Sequence, residues 1–126
     1  MHDCGQLTLK ALDLYQDFVD KSKVTLWGGS HGGYLIGMLT GHPDYCHLWA
    51  AAASRNPVLN MSFMLSSTDI PDWMYACVLN KSMTFAELSS AQNKAFFDRS
   101  PINLIKNVKT PTLLLIGQKD LRVPHS

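Results

Sequence analysis

Lys23-Val24-Thr25-Leu26-Trp27-Gly28-Gly29-Ser30-His31-Gly32-Gly33 runs from a short apolar stretch straight into Gly-x-Ser-x-Gly, and the apolar helical pattern Tyr34-Leu35-Ile36-Gly37-Met38-Leu39 follows at once. An apolar strand, a glycine-flanked serine and a helix start in that order predict a nucleophile elbow, a sharp turn that lifts a serine hydroxyl clear at the carboxyl end of a sheet. Gly28 and Gly32 stand where side chains would crowd such a turn. The first N–H groups of a helix have no partner inside it, so the backbone N–H of His31 is a candidate oxyanion donor and Ser30 a candidate nucleophile. The structural alternative is a glycine-rich loop that merely turns, and the strand before and helix after the motif weigh against it.

The neighbouring segments fit the same plan. Leu7, Ala11, Leu14, Tyr15 and Phe18 recur at helical spacing between polar residues, which predicts an amphipathic helix over 7–20 with those side chains buried. A polar turn, Lys21-Ser22-Lys23, then leads into a strand over 24–27. The elbow helix is expected over 31–40, ended by Gly41 and Pro43, with Gly33, Gly37 and Gly41 forming a smooth face for close packing on the sheet. His42 and His47 are expected in a loop, facing solvent. The chain must then return to the sheet, so 48–53 is assigned as a central strand although alanine favours helix. Pro57 turns the chain at that strand's carboxyl end and brings Arg55 and Asn56 towards Ser30.

From Val58 to Arg99 the pattern is helical and irregular, broken at 66–72, and its methionines and aromatics are expected mostly in the core. Thr84-Phe85-Ala86-Glu87 matches a capping box and predicts a helix over 85–97, with a helical turn over 101–105. Thr112-Leu113-Leu114-Leu115-Ile116 is continuously apolar, the pattern of a parallel strand buried on both faces. Asp120 follows it closely. A carboxylate past a buried strand and downstream of the elbow suits the order Ser, Asp, His of α/β-hydrolase triads, so Asp120 is the candidate acid ahead of Asp69 and Asp72, which no buried strand immediately precedes. The base is missing from this pattern. His31 belongs to the elbow itself, and His125 lies too near Asp120 in sequence to stand on a separate loop.

Composition narrows the classes. Eleven Lys and Arg against ten Asp and Glu leave a formal charge of +1, with no basic run to serve a nucleic acid. Three cysteines without metal or redox spacing suit a reducing compartment, the cytoplasm by default. No window is apolar over the roughly 20 residues needed to span a bilayer, so no membrane role is expected. The expected architecture is α/β: one partial α/β-hydrolase domain over residues 1–126, truncated at both ends, because three strands are fewer than such a sheet needs.

Six blocks extend through residues 24–124 in the order of a known family: Gly28-Gly29-Ser30-His31-Gly32-Gly33, Arg55-Asn56-Pro57-Val58, Ser67-Thr68-Asp69-Ile70-Pro71-Asp72-Trp73, Ser100-Pro101-Ile102, Val108-Lys109-Thr110-Pro111 and Gly117-Gln118-Lys119-Asp120-Leu121-Arg122-Val123-Pro124. Together they resemble the catalytic domain of the acylaminoacyl-peptidases of the prolyl oligopeptidase family. The resemblance implies a serine peptidase that hydrolyses N-acylated, often N-acetylated, peptides through an acyl-enzyme, with Ser30 as nucleophile and Asp120 as acid, and without metal or organic cofactor. It also implies that Arg122 contacts substrate. The family's β-propeller, its upstream histidine–glycine-rich loop and its C-terminal histidine have no counterpart in these residues, so the 126 residues are expected to be inactive alone. A dipeptidyl-peptidase-like or esterase-like hydrolase, and an inactive segment that only binds a partner, remain open alternatives. A homo-oligomer of the full-length protein is compatible with the resemblance.

Overall fold

The computed structural model describes residues 1–84 and 86–125. Three parallel strands, β1 (Thr25–Gly29), β2 (Ala51–Arg55) and β3 (Thr112–Leu115), form a sheet in the order β1-β2-β3. Gly28 sits opposite Ser54 and Gly29 opposite Arg55, while Ser54 faces Leu114 and Arg55 faces Leu115 across the next ladder. All three strands therefore end at one rim. Helices α1 (His2–Leu14) and α2 (His31–Gly41) surround the β1–β2 connection. Three short helices, α3 (Met61–Ser67), α4 (Pro71–Leu79) and α5 (Ser90–Asp98), lie between β2 and β3, followed by a 3-10 segment, Pro101–Asn107.

Helix α2 starts and stops as its sequence requires, and its glycine face packs more widely than expected. A Cβ on Gly33 would lie 2.5 Å from the Ser54 hydroxyl and 2.6 Å from Pro57, so β2 approaches the helix there. Gly37 and Gly41 instead face Pro101 and Leu104 of the 3-10 segment. Neither contact leaves room for a methyl group. Replacing Gly33 by Ala is expected to destabilise the fold by about 1–3 kcal/mol, the usual cost of overpacking, and to lower the thermal midpoint of the full-length protein. An unchanged midpoint would show that β2 yields freely.

The main core joins Val58, Met61, Met64, Met74, Tyr75, Val78, Phe96 and Val123, so the methionines of the irregular stretch are mostly interior, as expected. A smaller cluster of Leu39, Tyr45 and Trp49 seals the other end of α2, where the Trp49 indole donates to the Leu39 carbonyl at 3.2 Å. That anchor, with a 3-10 turn over Cys46–Leu48, delays β2 to Ala51 rather than 48.

Four further expectations are corrected. Helix α1 ends at Leu14, and it buries Gly5 and Leu12 rather than the Leu7–Phe18 stripe, because glycine lets the helix approach the Tyr45 ring closely. Phe18 is left 88% exposed beyond the helix. The helix expected over 85–97 begins at Ser90 instead, capped reciprocally by Ser89 and Gln92 rather than by Thr84 and Glu87; Phe85 lies outside the described residues. Strand β3 has its leucines exposed, Leu113 at 58%, because no further element covers that edge among the described residues. His42 is half-buried, stacked on Tyr45 with ring centres 5.3 Å apart; His47 does face solvent.

Candidate active site

Ser30 occupies the turn between β1 and α2 with φ 56° and ψ −122°. A side chain other than glycine rarely adopts positive φ, and holding it there costs on the order of 1–3 kcal/mol, which the surrounding bonds must offset. They do so from both sides: the Ser30 N–H donates to the Arg55 carbonyl at 3.0 Å, and its own carbonyl accepts from the Tyr34 N–H at 3.1 Å. A Cβ on Gly28 would come within 3.1 Å of the Gly32 backbone, so the turn closes on itself. The crowding expected at Gly32 is not found: a Cβ there would meet open space, so of the two only Gly28 is sterically required. His31 is the first residue of α2, so its N–H is one of the helix donors without an intrahelical acceptor. Its ring turns away from the sheet rim, stacking on Tyr34 at 5.5 Å and meeting the edge of Trp73 at 6.1 Å. Burial pushes the Tyr34 phenol up from its ordinary range.

Two cavities meet at Ser30. One, of about 260 Å³, is lined by Ser30, Arg55, Asn56, Asp120, Arg122 and Val123. The other, of about 300 Å³, is walled by His31, Met64, Ile70 and Trp73, with Ser30 and Arg122 shared. The first lies between the serine and Asp120. In it Asp120 Oδ1 accepts from the N–H groups of Arg122 and Val123, both at 2.9 Å. Those bonds fix the carboxylate through one oxygen. Asp69 and Asp72, the other acids considered, do not line this cavity: Asp69 is paired with Arg122, and Asp72 sits exposed in the first turn of α4.

The structure thus brings Ser30, Asp120 and Arg122 together, with the His31 N–H beside them. It sets His125 elsewhere, in a cavity with Pro57, Phe63, Ile116 and Pro124. Two residues of the rim were not singled out for their contacts. The Asn56 side-chain oxygen accepts the Gly117 N–H at 3.2 Å, tying the turn before Asp120 to the end of β2, and Asn56 itself has φ 42°. Asp69 grips Arg122 side-on, Nε to Oδ1 at 2.7 Å and the second nitrogen to Oδ2 at 3.1 Å. An Asn before proline at a strand's end signals the first; nothing local signals the second, because its partners are far apart in sequence.

Parallel strands joined through helices, with a strained serine at the end of one strand and a carboxylate across the rim, define a segment of the α/β-hydrolase class. The model of the prolyl oligopeptidase family of peptidases matches residues 1–126. The chain belongs to that family. It is 49% identical over 109 residues to the acylamino-acid-releasing enzyme of Arabidopsis thaliana, a match covering 85% of this chain and 14% of that protein. It is 43% identical over 114 residues to the acylamino-acid-releasing enzyme of Homo sapiens, covering 88% of this chain and 15% of that protein. The solved structure of an acylaminoacyl peptidase from Pyrococcus horikoshii superposes with a TM-score of 0.73 at 25% identity, over 93% of this chain and 18% of that one. The chain therefore spans about one-seventh of the length of these curated relatives. No helix among the described residues is long and apolar enough to cross a membrane.

Proposed function

We propose that this chain supplies the nucleophile and acid of a serine peptidase that removes an N-acylated residue from short peptides. The observation that carries the reading is the strained Ser30 turn, which shares one cavity with the Asp120 carboxylate, bonded among the described residues through Oδ1 alone. Ser30 Oγ attacks the carbonyl of the acylated residue, and the His31 N–H donates to the oxyanion that forms. The proton must pass to a base between Ser30 and Asp120. The 260 Å³ gap there is lined by no histidine among the described residues, and it has room for an imidazole whose far nitrogen would donate to the free oxygen of Asp120. The base then gives that proton to the departing amine as the peptide C–N bond breaks, and water, deprotonated by the same base, hydrolyses the resulting Ser30 ester to free the acylamino acid. No step in this scheme calls for a metal or organic cofactor. The apolar wall that Met64, Ile70 and Trp73 give the second cavity suits the side chain of the acylated residue. Arg122, shared by both cavities, is placed to donate to a substrate carbonyl.

The acylated substrate class rests on the names of the relatives at 40–49% identity, all acylamino-acid-releasing enzymes. Comparing acetyl-alanyl p-nitroanilide with a free-amine dipeptidyl p-nitroanilide tests it in the full-length protein. Preference for the free amine would move the assignment to a dipeptidyl-peptidase-like enzyme. Arg122→Ala is expected to reduce peptide turnover more than turnover of a small activated ester, because a donor to substrate carbonyls takes no part in proton transfer. Equal losses on the two substrates would mark the arginine as structural.

A further inference from the structure

Arg122 does not stand alone beside Ser30. Its guanidinium is held in plane by both oxygens of Asp69. The same two segments are laced by the Thr68 hydroxyl, which donates to the Arg122 carbonyl at 2.7 Å, and by the Asp69 N–H, which donates to the Leu121 carbonyl at 3.1 Å. The pair is solvent-exposed, so it adds little to stability; what it fixes is orientation. A side-on guanidinium engaged through Nε and one terminal nitrogen keeps its remaining N–H groups free, and Arg122 borders both cavities at the serine. The pairing also holds the Asp69 carboxyl below its ordinary range and the guanidinium above its own, so both stay charged at neutral pH. Among the described residues beside the serine, the cations Arg55 and Arg122 are matched by the anions Asp120 and Asp69.

A balanced site offers directional donors without a net positive field. We propose that Asp69 is a positioning residue that determines specificity: by clamping Arg122 in a charge-compensated pair beside Ser30, it makes the site favour a neutral acyl group over one that bears a carboxylate. This rests on the acyl-peptide reading above. Without the Asp69 charge, Arg122 would be an uncompensated cation free to swing towards an anionic acyl group.

The test is protection of Ser30 from a fluorophosphonate label in the full-length protein, with acetyl-alaninamide and succinyl-alaninamide as competitors. Asp69→Asn is expected to shift the ratio of the two protecting concentrations about ten-fold towards the succinyl compound, and Asp69→Glu to restore it. Raising the salt should shrink the shift. An unchanged ratio in Asp69→Asn, or the same shift in Asp69→Glu, overturns the proposal. Where Asp69→Asn does not fold, Arg122→Gln gives the complementary reading: Asp69 is then the unpaired charge, and the ratio should move about ten-fold against the succinyl compound, with no movement counting as refutation. If acyl-peptide turnover is absent while the labelling ratio shifts as stated, the function proposed above fails and the role of Asp69 stands.

Discussion

Ser30→Ala in the full-length protein is expected to abolish fluorophosphonate labelling and to reduce acyl-peptide turnover on the order of a million-fold, with little loss of fold. The size of the effect follows from the role. Removing the nucleophile of a serine peptidase leaves only substrate binding and oxyanion contacts, and those residual contributions are small beside covalent catalysis. The fold should tolerate the change because, among the described residues, the bonds that hold the turn are made by the Ser30 N–H and carbonyl and not by Oγ. Alanine keeps both but inherits the positive φ, so a modest destabilisation is expected and a collapse is not. Persistent labelling of Ser30→Ala would show that another residue is the activated nucleophile.

The polypeptide of residues 1–126, made by itself, is expected to self-associate, to unfold without a sharp urea transition and to leave acetyl-alanine p-nitroanilide intact. One sheet face carries Trp27, 78% exposed, in register with Ala53 and Leu113, and Leu115 follows along β3. Burying a side chain of this size is worth about 1.5–3 kcal/mol, so copies that cover one another's faces gain more than the monomer can hold in reserve. Strands β1 and β3 add unpaired edges, the usual route to strand addition between chains. Chemistry should fail independently, since no histidine among the described residues lines the gap between Ser30 and Asp120. A monomer with one cooperative transition would refute the folding claim. Ser30-dependent turnover would show that a histidine of this chain serves as base, and His125 would be the first to mutate.

How legible these features were depended on how local their causes are. The elbow and α2 were plain, because Gly28, Ser30 and Pro43 act within a few residues of themselves, whereas Gly32 has open space around it and Gly41 lies inside the helix it was expected to end. The three strands were legible too, although Trp49 and the 3-10 turn before it shift β2 to Ala51–Arg55 from the expected 48–53, and Asp120 was marked by the strand before it. The buried face of α1 was misread because apolar spacing ranked Leu7, Leu14 and Phe18 above Gly5, whose small size wins by admitting the Tyr45 ring. The helix at 90–98 was started early because two capping patterns compete, and Ser89 with Gln92 makes the reciprocal bonds. Three consecutive leucines in β3 announce a strand suited to burial but not what covers it. The Asp69–Arg122 clamp spans 53 residues and has no signature in either segment.

The glycine face of α2 also sets an order of events. Gly37 and Gly41 await Pro101 and Leu104, and Asn107 caps the Gly41 carbonyl across 66 residues. During synthesis the motif around Ser30 therefore emerges long before the partners that clamp its helix, and the acid turn at Asp120 follows later still. Contacts of such sequence separation form slowly, because the intervening chain must close first. A ribosome-bound chain would carry the Gly-x-Ser-x-Gly sequence without its geometry until the 3-10 segment has docked on α2. On the proposed function, reactivity at Ser30 would be acquired only after that docking.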